Sequence, residues 1–240
     1  MSELLYSYPP LVPGILVKRY KRFFADIQLE SGETITAHCP NTGPMTGVYI
    51  PGNPVQASQS ANPKRKLPYT WEMIQLTDSQ PIWVGVNTGL PNRIIKLALE
   101  QRLFPELGEY DKITSEVRYG ADNKSRIDFL VQAENQSIYI EVKNTTWTSG
   151  TLALFPDTVT ERGQKHLQEL TQVVQRGSRA VMLYFINRGD CPRFAAGDTA
   201  DPTYGQLLRR AIEVGVEVLA CRFQVTPAGV QYLGLAELEL

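Results

Sequence analysis

The 240-residue chain is poor in cysteine and histidine, with three of the first and two of the second. Cys39, Cys191 and Cys221 lie far apart and never form a Cys-x-x-Cys pair. That argues against a disulfide framework or a cysteine zinc site and fits a reducing cytoplasm. Long apolar runs are also missing. No stretch approaches the ~20 residues of a membrane span, so no membrane partner is expected. Met1 to Pro10 has neither the basic start nor the apolar run of a signal peptide. An excess of one charge is lacking too, since the net charge is −1; there is no global attraction to a polyanion. Internal repeats and low-complexity tails are absent. What remains, 42% hydrophobic and 20% charged, is the composition of an ordinary globular protein. The length admits one large domain or two modest ones.

The basic residues that are present cluster. Lys18, Arg19, Lys21 and Arg22 interleave with Tyr20, Phe23 and Phe24, and Lys64-Arg65-Lys66 sits in a Pro/Asn-rich loop. Cations beside aromatics suit a groove that tracks phosphates and offers stacking platforms to bases. The plainer alternative is a strand with charges outside and aromatics inside.

Residues 1–80 read as all-β. Apolar or alternating runs at Ile15–Val17, Phe23–Leu29, Thr34–Ala37, Val48–Ile50 and Tyr69–Leu76 are separated by turns at Ser31-Gly32, Asn41–Pro44 and Pro51–Pro54. About five strands suit a small barrel of the oligonucleotide-binding type. A boundary is expected between Asp78 and Gly89, and residues 81–240 change to mixed α/β. Pro91–Glu100 is amphipathic, with proline allowed in a first turn. A strand follows near Ile113–Tyr119. Thr158 and Glu161 have capping-box spacing before a helix stopped by Gly177. Ala180–Ile186 is a continuous apolar strand, buried on both faces. Cys191–Tyr204 reads as a loop, Gln206–Val214 as a helix ended by Gly215, and Val216–Phe223 as another buried strand. The second domain is thus an α/β sandwich with a mixed sheet.

Within it, Arg126–Val131 and Ile138–Lys143 alternate as half-buried strands do, joined by a turn at Glu134-Asn135. That register sets Asp128 directly opposite Glu141 on one face, with Cβ atoms roughly 5 Å apart. Lys143 shares the face, because side chains two apart point the same way. Two carboxylates and a lysine on an apolar sheet are costly to bury without a purpose, and a divalent metal supplies one. Asp128 and Glu141 are hard oxygen ligands, the Val142 carbonyl can complete the set, and Mg²⁺ (or Mn²⁺) favours such a partial cage. Lys143 would face the scissile group and neutralise developing charge. A surface salt-bridge trio is the plain alternative.

Glu116 and Glu100 are candidates for a further acid, each equally readable as a solvated carboxylate. Gln164 and Lys165, at a helix N-terminus, are candidate phosphate contacts. His166 reads as a packing residue rather than a general base. His38-Cys39 lacks a third orienting group for a nucleophilic dyad. Trp71, Trp83 and Trp147 read as core or interface residues, with Trp147 the one that could stack on a substrate.

Asp128 followed by Glu141-Val142-Lys143 resembles the PD-(D/E)xK nuclease core, although Arg126-Ile127 stands where the motif name has proline. Across nearly its whole length the chain resembles the bacterial sugar fermentation stimulation protein A family. The resemblance rests on Arg19–Phe23, His38–Gly43, Ser125–Asp128, Tyr139–Asn144 and Gly163–Leu167. It implies an OB-fold-like β-barrel followed by a PD-(D/E)xK nuclease-like α/β domain, sequence-nonspecific DNA binding, and a regulatory role in sugar (maltose) metabolism. Two functions are therefore expected to compete. One is a DNA-binding protein whose Mg²⁺ site hydrolyses phosphodiesters. The other is a catalytically inactive DNA-binding transcriptional regulator on a nuclease scaffold. A sugar-binding protein has no supporting motif, and no pattern specifies an oligomeric state.

Overall fold

A computed structural model describes residues 3–77, 80–120, 125–134 and 136–240. Met1, Asp78 at the start of the expected boundary and Asn135 in the expected hairpin turn lie outside the described residues. The first half forms β1 (Tyr6–Ser7), β2 (Leu11–Tyr20), β3 (Phe24–Leu29), β4 (Thr34–His38), β5 (Pro54–Gln59), β6 (Tyr69–Thr77) and β7 (Pro81–Gly85). The second half opens with α1 (Leu90–Glu100), β8 (Lys112–Tyr119), β9 (Ser125–Ala133), β10 (Gln136–Thr145), β11 (Trp147–Ser149) and β12 (Leu152–Phe155). It continues with α2 (Glu161–Gln175), β13 (Arg179–Ile186), β14 (Arg193–Ala196), α3 (Pro202–Val214), β15 (Glu217–Thr226), β16 (Gly229–Leu235) and β17 (Glu237–Leu238).

Strands β4, β3, β2, β5 and β6 hydrogen-bond in that order, and a parallel β4–β6 pairing closes them into an OB-type barrel. Alternation sets the inside: Ala25 and Ile27 of β3 are fully buried while Asp26 and Gln28 turn away. The strand expected at Val48–Ile50 is instead a turn, and the missing barrel strand is Pro54–Gln59. Val48 is still buried in the barrel core, so its apolarity reports burial and not strand. Gly52, at φ +89°, makes the turn that launches β5, and proline is tolerated as the first strand residue. The barrel core runs past residue 80 to take in Val84 and Val86.

Strand β7 then meets β15 at Trp83↔Val225, so one sheet runs from the barrel into the second domain. There β8, β9 and β10 are antiparallel, and β10, β13 and β15 are parallel. Helix α1 packs on one face, α2 and α3 on the other. Every β13 residue after Arg179 is buried, as its unbroken apolar run requires. The cap of α2 lies two residues beyond the expected one. Thr160 Oγ1 accepts from Gly163 N at 3.1 Å, and the Thr160 N–H donates to Asp201 at 2.9 Å. A distant aspartate thus takes the part of the local glutamate. The expected 191–204 loop holds β14, which joins β11, β12 and β17 in a separate four-stranded sheet.

The two domains meet at Gly85, whose N–H donates to Asn187 O at 3.0 Å. A Cβ at Gly85 would overlap the Asn187 amide, itself buried and bonded to Asn144 Oδ1 at 2.9 Å. Gly85→Ala should therefore cost about 1–3 kcal/mol. Calorimetry should read this as a Tm lower by about 3–10 °C; an unchanged Tm would mean the junction yields freely.

Candidate active site

The hairpin that carries the acids keeps the expected register, with Ala133↔Gln136, Val131↔Ile138 and Phe129↔Ile140. The ladder stops there, one step short of Asp128 and Glu141. On the other side of β9 the ladder also skips Asp128, passing from Ser115↔Phe129 to Val117↔Ile127. Glu116, the residue skipped on β8, has φ +56°, a left-handed backbone that non-glycine residues rarely adopt. Asp128 thus sits where both neighbouring ladders open, as at a bulge that re-aims a side chain.

Its carboxylate is held from two directions. Oδ1 accepts from Asn92 Nδ2 of α1 at 2.7 Å, and Oδ2 accepts from the Val142 N–H at 2.7 Å. Glu141 turns to the other helix layer: Oε1 accepts from Lys143 Nζ at 2.7 Å and contacts His166 Nδ1 of α2. Lys143 Nζ is also 3.0 Å from His166 Nδ1. The two acids therefore bracket β10 at Glu141-Val142 with partners from opposite faces of the sheet, where one shared face was expected. The broken ladders are the reason. In a strand the N–H and C=O of one residue project to the same side, so the Val142 carbonyl opens toward Asp128.

The electrostatics separate the two acids. Burial pushes the Asp128 carboxyl up to about 6, and the Glu141 charge adds to this, against the pull of the Val142 N–H, Asn92 and Lys143. Burial also disfavours ionised Glu141, but the His166 hydrogen bond and the Lys143 charge outweigh it and leave the pKa below the ordinary range. Paired carboxyls driven apart in this way mark sites of chemistry. Glu141 Oε2 is buried with no hydrogen-bond partner. A buried carboxylate oxygen without a donor is unfavourable, and a cation is one group that would satisfy it. Among the described residues no three His, Cys, Asp or Glu side chains form a metal-holding group. The donor set is two acids and a carbonyl, which suits a hard cation that keeps water and substrate oxygens and does not suit a full protein cage.

The raised Asp128 pKa has a sign that can be tested. The folded state holds the proton more tightly than the unfolded chain, so this contribution to stability is complete below about pH 4 and lost as pH rises toward 6. Metal-free protein should lose stability over that window, and Asp128→Asn should remove this part of the slope; the Asn92 amide can flip to meet the new group. Denaturant midpoints at pH 4 to 7 measure it, and identical profiles for both proteins would contradict the assignment.

The other expected site residues fall in several places. Glu116 is exposed and 4.0 Å from Arg126; Glu100 is exposed and 3.9 Å from Lys96. Both acids therefore have solvent-exposed cationic partners. Gln164 spends its amide on Asp201, at 3.0 Å to each oxygen, and Lys165 is exposed 3.5 Å from Glu169. Arg19 donates to the Asn41 and Gly43 carbonyls at 2.8 and 3.0 Å and holds that loop. Lys18, Lys21, Arg22, Lys64 and Lys66 are exposed and Arg65 is half-buried. Lys21 and Arg22 both have positive φ, 49° and 63°, at the tip of the β2–β3 hairpin, beside Phe23, which is 50% exposed. Such backbone favours Gly or Asn, so a Lys-Arg pair there is strain kept at a surface tip.

Two residues in the site escaped sequence reasoning. Asn92 could have been noticed only as a polar residue on the sheet side of an amphipathic helix. His166 was visible but read as packing; buried at 4% exposure, it contacts both Glu141 and Lys143.

The sugar fermentation stimulation protein RE domain model matches residues 89–229, and the SfsA N-terminal OB domain model matches residues 17–86. The chain is 67% identical over 240 residues to a sugar fermentation stimulation protein homolog of Trichormus variabilis, covering 99% of each. It is 64% identical over 240 residues to the homolog of Synechococcus elongatus, covering 100% of each. Among solved structures it is similar to Pyrococcus furiosus SfsA in complex with Ca²⁺, at 26% identity and a TM-score of 0.89, with 100% of each chain covered. The barrel, the mixed-sheet domain and these matches lead to one conclusion: the chain belongs to the sugar fermentation stimulation protein family.

Proposed function

We propose that this is a sequence-nonspecific DNA-binding protein whose second domain hydrolyses phosphodiester bonds with Mg²⁺ or Mn²⁺. The observation that carries the reading is the buried, unpartnered Glu141 Oε2 beside Asp128, with Lys143 fixed next to it. The Ca²⁺ complex of the Pyrococcus relative supports a hard-cation site in this fold. Asp128, Glu141 and the Val142 carbonyl would hold the ion. When bound, it would polarise a phosphodiester oxygen and lower the pKa of its water. Asn92 and the Val142 N–H aim the Asp128 carboxylate, His166 Nδ1–H holds Glu141, and Glu141 in turn fixes the Lys143 ammonium, whose charge favours negative charge developing on a nearby phosphate. The exposed hairpin cations Lys18, Lys21 and Arg22, with the Lys64–Lys66 loop, supply phosphate contacts.

Supercoiled plasmid should be nicked by the protein with Mg²⁺ or Mn²⁺ and left intact with chelator. DNA binding without cleavage under any metal would favour the second reading, an inactive regulator on a nuclease scaffold. The observation favouring that reading is that Glu100 and Glu116 lie on exposed surface and add no third acid to Asp128 and Glu141. A role in sugar (maltose) metabolism would then be the output of DNA binding, and it rests on the family alone. Among the described residues no helix is long and apolar enough to cross a membrane.

A further inference from the structure

Beyond Lys143, β10 ends at Thr145 and the chain passes through Thr146 to Trp147, the first residue of β11, where two adjoining cavities share the indole as a wall. The smaller, about 110 Å³, lies between Asn144 and Asn41 of the barrel loop that Arg19 holds. The larger, about 500 Å³, lies between the barrel turn at Thr46-Gly47 and the β11 hairpin. Its floor is an ion pair. Arg188, 2% exposed, donates through Nε and Nη2 to both oxygens of Asp190 at 2.7 Å and through Nη1 to Thr146 O at 3.3 Å. The indole is seated against Gly197, where a Cβ would lie 2.9 Å from Trp147 Cζ3, and the ring stays only half-buried.

The lining selects a kind of ligand. Arg188 is matched by Asp190, so the cavity carries no net positive charge for a free anion. It offers a flat aromatic wall, hydroxyls from Thr46 and Thr148, and a carboxylate whose outer lone pairs can only accept. A planar heterocycle with N–H donors fits those terms. Trp147 follows Lys143 by four positions, a reach of at most roughly 13 Å at about 3.3 Å per extended residue, within a few nucleotides of a phosphate held at Lys143. From this juxtaposition we infer that the cavity takes an unstacked base of the DNA strand, stacked on Trp147 with an N–H directed at Asp190. The four-stranded sheet that adds β11 to the nuclease-like domain thereby acquires a purpose, because it builds the wall against which the strand is held. This rests on the DNA-binding reading, so its test separates the two.

The probes are a labelled mixed-sequence single-stranded DNA followed by anisotropy, and dGMP or maltose followed by tryptophan fluorescence. Trp147→Ala should bind the single strand about ten- to a hundredfold more weakly, the worth of one stacked base, while Trp147→Phe stays within a few-fold of the parent. If Trp147→Ala does not fold, Trp147→Leu keeps bulk on Gly197 without an aromatic face and should show the same loss. In the parent, dGMP should quench tryptophan emission saturably, and Trp147→Phe should lose that quenching. Equal DNA affinity of the parent and the alanine or leucine variant overturns the pocket while DNA binding stands. Saturable dGMP quenching with no DNA binding keeps the pocket and sinks the DNA reading. Quenching by maltose but not dGMP overturns the base assignment and gives the cavity to a sugar.

Discussion

Replacing Lys143 with alanine should cut metal-dependent plasmid nicking by about 10²–10³-fold, the usual loss when one preorganised charge-stabilising group is removed. DNA affinity and fold should stay near those of the parent. The Lys143 side chain is 12% exposed and its ammonium is bonded to Glu141 at 2.7 Å, so its position is fixed before any substrate arrives. Lys143→Arg should not rescue. A planar five-donor fork cannot replace a compact ammonium between Glu141 Oε1 and His166 Nδ1. Asp128→Asn should lose activity on a similar scale for a different reason, because one of the two acids no longer carries charge. Gel-resolved time courses of supercoiled, nicked and linear plasmid measure both. Cleavage that survives either change would remove the hairpin from the chemistry.

The second large effect concerns DNA binding. Reversing Lys18, Lys21 and Arg22 to glutamate should weaken binding to every sequence alike and lower the slope of log K against log salt by roughly one per residue. Arg19 is left out because its guanidinium holds the Asn41–Gly43 loop, and its loss would disturb the fold. The hairpin tip allows a sharper version. Lys21→Asn with Arg22→Gly puts residues tolerant of positive φ where two cations now stand. The protein should become more stable, by about 1 kcal/mol or more, since left-handed backbone costs ordinary residues roughly 1–2 kcal/mol each. It should bind DNA less well at the same time. Stability and affinity moving in opposite directions is the signature of strain kept for function; a stabilised variant with full affinity would show that the tip does not touch DNA.

Much of this was legible in the chain. Asp128, Glu141 and Lys143 could be placed on one hairpin because an in-register turn and alternating residues fix pairing locally, and the register held. The apolar run Ala180–Ile186 and the helix ended by Gly215 were readable for the same reason: each is specified by its own residues. Features that depend on distant partners were not. The break at Asp128 needs the positive φ of Glu116 on another strand, and the true cap of α2 needs Asp201. Strands β11, β12, β14 and β17 are two to four residues long and exist through pairing with one another. Val48–Ile50 shows the converse error, where one apolar residue buried from a turn, Val48, beside a half-buried tyrosine and an exposed isoleucine imitates a strand. His166 is buried as its packing reading expects, but a lone histidine among helix residues gives no hint of the lysine and glutamate it will meet.

Thermal unfolding with and without millimolar Mg²⁺ at pH 7.5, on the parent and on Asp128→Asn, tests the metal site apart from any activity. Metal that binds only the folded state must raise its Tm with concentration. It must also displace the proton that Asp128 holds up to about pH 6, so the gain should shrink toward pH 5. The Tm of the parent should rise with Mg²⁺ concentration and that of the variant should not. No rise in the parent, or an equal rise in both, would contradict a metal held by Asp128 and Glu141.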